Sequence, residues 1–192
     1  MKWIIASNNQ HKIQEIREIL PDVELVSMKD AGIDVEVEET GTTFEENAIL
    51  KAEAIRDMTG LPALADDSGI CVPVLGGKPG IFSARYVGYH GDDVANLDKL
   101  MADMDGFDGA DRYAYYECAA ALAVPGQETI VTKGVCGGVL LRDKRGTGGF
   151  GYDPIFYIPY MQRTLAELPE ETKNHLSHRY HALRKLWDKV KG

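Results

Sequence analysis

Two adjacent carboxylates, Asp66 and Asp67, end a short apolar run from Leu61 to Ala65, and Ser68-Gly69 follows them. An apolar strand that ends in an acidic pair and a glycine turn presents its carboxylates to a ligand. Such a pair suits a hard cation of the Mg²⁺ kind, which proteins hold with one or two carboxylates while substrate phosphates supply further oxygens. A carboxylate in that place can also take a proton from an attacking water. The same residues read equally as a capped turn, since Asp, Ser and Gly are turn formers. What favours chemistry is the rest of the chain, where several separate stretches carry groups that bind phosphate.

The first of these stretches is Ser7-Asn8-Asn9-Gln10-His11-Lys12. It joins a strand predicted at Trp3–Ala6 to a helix whose buried face is marked by Ile13, Ile16, Ile19 and Leu20. Ser and Asn are good helix caps, and a helix N-terminus with free N–H groups favours an anion. Lys12 adds a full positive charge there. Lys51 shares a helix face with Asn47 and reads either as a phosphate ligand or as a solvated lysine. Arg85, in Ser83-Ala84-Arg85-Tyr86, is either a phosphate clamp or a surface residue. The glycines of Gly146–Pro154 let backbone approach a ligand closely, and Phe150 and Tyr152 beside Gly151 and Asp153 could stack on a base. A tight connection between strands explains the same stretch. Lys173 precedes Ser177, a candidate cap that puts His178 and Arg179 in a first helical turn. Cations there oppose the helix dipole, and a nearby anion or polar ligand would relieve that.

Other elements must position these groups. Val23–Val26 reads as a strand, and the alternation Val35-Glu36-Val37-Glu38 as another. Thr43-Phe44-Glu45-Glu46 fits a capping box that opens a long helix to Met58, with Gly60 as its stop. Ile70–Val72 reads as a strand and Gly76–Gly80 as a turn-rich loop. Asp92 or Asp93 caps a helix with Leu97, Leu100, Met101 and Met104 as its core stripe. Gly106–Asp111 is a polar loop. Tyr113–Val124 and Glu128–Leu141 read as long strands joined at Pro125-Gly126, and Ile155–Ile158 as a further strand. Glu170–Lys191 ends in helix with Leu183, Leu186, Trp187 and Val190 as its docking stripe.

A chain of 192 residues is long enough for one domain, 1–192, with a sizeable core. Its 21 Lys+Arg against 30 Asp+Glu give a net charge of −9, which argues against a nucleic-acid partner. A small anion held by a few local cations stays open. Cys71, Cys118 and Cys136 show no metal-ligand spacing and read as reduced thiols. No apolar stretch approaches the ~20 residues of a membrane helix, and no signal-peptide pattern follows Met1. The expected location is the cytoplasm, with no membrane partner.

Taken together, these stretches resemble the inosine/xanthosine triphosphate pyrophosphatase family, and the resemblance covers nearly the whole chain. Ser7-Asn8-Asn9…Lys12 is similar to the family's triphosphate loop, with Ser7 and Asn8 in place of its usual Thr-Gly. Glu38, followed by Glu39-Thr40-Gly41, resembles a metal carboxylate. Glu46-Asn47-Ala48…Lys51 resembles the helix that brings a lysine to the phosphates, and Asp66-Asp67-Ser68-Gly69 the catalytic signature. Pro79-Gly80…Ser83-Ala84-Arg85-Tyr86 resembles the next block. Gly149–Pro154 and Ser177-His178-Arg179 resemble the base-recognition motifs. The resemblance implies an α/β fold, a mixed twisted sheet flanked by helices, in two lobes with the site in the cleft between them. It implies a homodimer. It also implies hydrolysis of non-standard purine nucleoside triphosphates to the monophosphate and pyrophosphate. In that reaction Mg²⁺ is held by Glu38 and Asp67, with Asp66 beside it. Asp67 serves as general base, and the residues from Ser7 to Lys12, with Lys51, Ser68, Arg85 and Lys173, hold the substrate. Pyrimidine or other modified triphosphates are the alternative substrates, and a nucleotide sensor without turnover is the alternative of another kind.

Overall fold

The computed structural model describes residues 2–192. Seven strands form one sheet in the order β2-β1-β3-β4-β5-β6-β7. They are β1 Lys2–Ile5, β2 Glu24–Ser27, β3 Ala63–Cys71, β4 Tyr113–Ala123, β5 Ile130–Leu140, β6 Phe156–Ile158 and β7 Arg163–Thr164. β1 runs parallel to both β2 and β3, whereas β6 is antiparallel to β5 and β7, so the sheet is mixed. The helices are α1 Gln10–Ile19, α2 Phe44–Thr59, α3 Asp93–Asp103, α4 Glu170–Leu176 and α5 His178–Lys191.

The chain divides into two compact units. The first contains the chain up to Asp67 with Cys118–Gly134 and His178–Gly192. Its core joins Ile13 and Ile16 of α1 to Leu183, Leu186 and Trp187 of α5 over Trp3, Ile5 and Leu64. Trp3 meets Trp187 edge-on with ring centroids 5.7 Å apart, a favoured aromatic geometry. Each fully buried Ile or Leu contributes about 1.5–3 kcal/mol, so the two apolar stripes seat α1 and α5. The second unit, Ser68–Glu117 with Val135–Ser177, has its own core of Ile70, Val72, Leu97, Leu100, Met104, Tyr116 and Phe156. There Arg112 is buried and donates to the carbonyls of Met104, Phe107, Leu140 and Leu141.

Four expectations need correction. Ser68-Gly69 makes no turn, and Ile70–Val72 is not a separate strand: β3 runs from Ala63 through the acidic pair to Cys71. Gly69 is glycine for another reason. A Cβ there would lie 2.3 Å from the Gly80 carbonyl oxygen and 2.4 Å from Ser83 Oγ. Ser83 Oγ in turn accepts from the Ile70 amide at 2.9 Å. Val35–Glu38 forms no strand among the described residues; its alternation survives as half-buried Val35 and Val37 between exposed neighbours. The capping box of α2 is half as expected. Thr43 accepts from the Glu46 amide, while the Glu46 carboxylate accepts from the Thr42 amide rather than from that of Thr43. Gly60 ends α2 in the left-handed region at φ 66°, as its position suggests. The terminal helix breaks at Ser177, whose ψ of 150° is extended, into α4 and α5.

Candidate active site

β3 places both carboxylates inside the sheet, where successive side chains point to opposite faces. Asp66 and Asp67 therefore meet different partners. Asp66 is fully buried. Its Oδ2 accepts from Arg179 Nε and Nη2, both at 3.1 Å, and lies 3.3 Å from Lys12 Nζ. The Cys118 thiol approaches the same oxygen at 3.9 Å. Asp66 Oδ1 is buried with no hydrogen-bond partner. Burial works against this carboxylate, but Lys12, Arg179 and Lys51 prevail and hold it well below the usual range. Burial and the Asp66 charge push the Cys118 thiol up. The remaining Arg179 arm, Nη1, donates to Glu15 of α1, which is itself buried.

Asp67 is held more lightly. Its Oδ2 accepts from Asn47 Nδ2 at 3.1 Å, and its Oδ1 lies 3.9 Å from Lys51 Nζ. Burial pushes its carboxyl up, against the pull of Lys51 and Lys12. Lys51 also pairs with Glu39 at 2.5 Å. Burial alone would lower the Lys51 ammonium, yet Asp67, Glu39 and Asp66 raise it, so it stays charged. Asn47 Oδ1 accepts from the Gly41 amide at 2.8 Å, and a Cβ on Gly41 would lie 2.6 Å from that oxygen. One buried amide thus ties the segment after Glu38 to Asp67.

The second unit carries a separate polar cluster. Asp153 Oδ2 accepts from Lys173 Nζ at 2.8 Å and from the Phe150 amide at 3.0 Å, and Tyr116 donates to Oδ1 at 3.2 Å. Lys173 Nζ also lies 4.8 Å from the centroid of the Phe150 ring, a cation–π contact. Gly149 has φ +69°, and a Cβ there would lie 2.1 Å from Asp153 Oδ2. This glycine lets the loop fold back over the carboxylate. Chemically, the first cluster can hold a cation and move a proton, and the second can hold a flat ring beside a buried acceptor.

The model of the Ham1 family matches residues 3–189. The chain belongs to the Ham1 family. It is 48% identical over 187 residues to a protein of Halalkalibacterium halodurans named dITP/XTP pyrophosphatase, covering 96% of each chain. It is 52% identical to one of the same name from Streptomyces avermitilis, covering 96% of this chain and 94% of the other. The solved Ham1 protein of Staphylococcus aureus superposes with a TM-score of 0.90 at 43% identity, covering 100% of this chain and 99% of the other. These relatives bear out the pyrophosphatase resemblance read from the motifs.

In this Ham1 chain the predicted site residues are placed as follows. Asn9 caps α1, accepting from the Lys12 amide, and Ser7 Oγ accepts from the Asn9 amide at 3.2 Å. Asn8, Gln10 and His11 are exposed, and Ser68 is half-buried. Lys12, Lys51, Asp67 and Arg179 come together around β3. Arg179 is bound to Asp66 and Glu15, a different task from the base recognition that its motif implies. Lys173, also read as a phosphate ligand, reaches Asp153 and the Phe150 ring. Arg85 stacks its guanidinium 5.3 Å from the Phe82 ring centroid and faces His90. Tyr152 is buried with its hydroxyl donating to the Ser83 carbonyl, and the Gly151 amide donates to Asp93. His178 is buried at the start of α5. Glu38 is exposed, and it is Glu39 that reaches Lys51. Among the described residues no group of three His, Cys, Asp or Glu forms a metal site. Glu15, Glu39 and Tyr116 were not among the sequence candidates. Glu15 had one legible signal: it shares a helix face with Lys12, three residues earlier.

Proposed function

We propose that this chain hydrolyses inosine, deoxyinosine and xanthosine triphosphates to the monophosphate and pyrophosphate, removing non-standard purines from the nucleotide pool. The observation that carries this is the buried pair Asp66-Asp67, ringed by Lys12, Lys51, Arg179 and Asn47, in a chain whose relatives are named dITP/XTP pyrophosphatase. In this reading it acts in the cytoplasm as a homodimer.

The residues fit a divalent cation, read here as Mg²⁺. Asp67 is a buried carboxylate held by a neutral amide and a lysine, and its hard oxygens suit such an ion. Asp66 Oδ1, on the adjacent residue of β3 but the opposite face, is a buried oxygen that no donor satisfies. Glu38 and Asp67 would hold the ion with Asp66 beside them. A cation of this kind commonly keeps several waters and phosphate oxygens, so one or two carboxylates are enough protein ligands. When bound, the ion supplies positive charge against the triphosphate. Asp67, pushed up by burial, accepts the proton of the attacking water while Asn47 fixes its Oδ2. Lys12 and Lys51 each have three N–H donors and can share them between a carboxylate and a phosphate. Arg179 orients Asp66.

The purine stacks on Phe150, and Asp153 accepts the protonated ring nitrogen that hypoxanthine has and adenine lacks. His178 donates to the six-position carbonyl. An adenine would leave these groups facing like partners, at roughly 1–3 kcal/mol for each one unsatisfied, so inosine and xanthosine triphosphates lead and adenosine triphosphate comes last. Guanosine triphosphate falls well behind the first two. A panel of triphosphates tests the proposal by the first product released. Pyrophosphate is expected, with diphosphates poor substrates; orthophosphate as the first product overturns it.

A further inference from the structure

We propose that Tyr116 is a specificity-determining positioning residue, whose hydroxyl fixes the Asp153 carboxylate in the orientation that reads the base. The inference rests on the base-site reading above, in which Asp153 accepts a ring N–H, and it goes beyond the motifs that suggested that reading. Tyr116 lies on β4, far in sequence from the Gly149–Pro154 loop, and is buried with its ring 4.7 Å from that of Phe156. Its hydroxyl donates to Asp153 Oδ1 at 3.2 Å. The direction of that bond is forced. An ionised carboxylate only accepts. The hydroxyl proton therefore points at Asp153. Burial and the Asp153 charge push the phenol well above its usual range, so it remains a donor at any working pH.

The two carboxylate oxygens are held from different elements. Oδ2 is fixed by Lys173 of α4 and by the Phe150 amide of the loop itself. Oδ1 is fixed by Tyr116 from the sheet. The carboxylate turns about its Cβ–Cγ bond, which moves both oxygens together, so its plane is set by the donors on Oδ2 and the donor on Oδ1 acting jointly. The bond from Tyr116 supplies the hold at the second oxygen and narrows that rotation. An acceptor locked in one plane favours a base that brings a hydrogen there and repels one that brings a lone pair. A carboxylate able to turn would lose part of both effects.

The test is Tyr116→Phe, which keeps the ring packed on Phe156 and deletes only the donor. We expect kcat/KM for inosine triphosphate to fall about ten-fold or more, as for loss of a hydrogen bond to a charged group. The value for adenosine triphosphate stays the same and the melting midpoint stays near wild type. The ratio between the two substrates therefore narrows. An equal fall for both substrates, or no change in either, overturns the proposal. The underlying reading is tested separately on the wild-type protein with N1-methylinosine triphosphate, which lacks the ring N–H. Rapid hydrolysis of that analogue removes Asp153 as base reader and the Tyr116 proposal with it. Its rejection, together with an unchanged ratio in Tyr116→Phe, overturns the Tyr116 proposal alone.

Discussion

Asp67 and Asp66 are neighbours of one residue type with different surroundings, and mutation should separate their roles. Asp66 is locked by two cations and buried on both sides, whereas Asp67 is held by one neutral amide and a lysine at 3.9 Å. Asp67→Asn is expected to lower kcat by roughly 10²–10⁴-fold, the loss typical of a missing general base. Nucleotide binding should persist in a titration, and near-normal turnover would remove Asp67 as the base. Arg179→Met predicts a different readout. It removes the guanidinium that pairs with the buried Asp66 and Glu15, and breaking such a set costs about 3–5 kcal/mol. The loss should appear in denaturant unfolding. A variant that unfolds like wild type but loses only its choice of base would return Arg179 to base recognition. At this scale the reactive residue types were legible and their partners were not. Arg179 meets Asp66 across 113 positions and Glu15 across 164, and no local pattern encodes pairings of that range.

Elements were legible where their signals are local. Thr43 and Gly60 mark the ends of α2, and Asp92 caps α3 by accepting from the Ala95 amide. The same kind of signal misled at Asp67-Ser68-Gly69, where turn-forming residues lie in a continuous strand. There tertiary crowding, not backbone conformation, requires the glycine. Gly134 of β5 follows the same logic and seats α5. A Cβ on it would lie 2.1 Å from the His178 carbonyl oxygen and 2.4 Å from the Ala182 amide nitrogen. Thr132 Oγ1 donates to the Ala182 carbonyl close by. Those obstructing atoms are backbone and cannot rotate away, so Gly134→Ala must displace the helix that carries His178 and Arg179. Overpacking of this kind costs typically about 1–3 kcal/mol. Both the melting midpoint and kcat should fall. A variant with wild-type values for both would mean that α5 adjusts freely and is not what fixes Arg179.

Over the whole molecule, each unit buries its own apolar cluster, and none of the described helices is long and apolar enough to cross a membrane. The three cysteines are buried thiols in no disulfide among the described residues, with Cys136 pushed up to about 11 by burial and Asp153. The net charge of −9 is legible from the sequence, but the gathering of cations around the acid pair is not, because it depends on how β3, α1, α2 and α5 pack. That gathering decides what metal removal does. A structural metal site loses much of its folding energy without the ion. Here Asp66 already has Arg179 and Lys12, and Asp67 already has Asn47 and Lys51, so chelation leaves no uncompensated pair of buried carboxylates. Excess chelator should therefore abolish turnover while shifting the melting midpoint by no more than about 4 °C, which corresponds to ~1 kcal/mol for a chain of this size. Adding Mg²⁺ back should restore turnover without refolding. Full activity in chelator would overturn the metal requirement, and a large fall in the midpoint would show that the ion holds the fold together as well as serving the reaction.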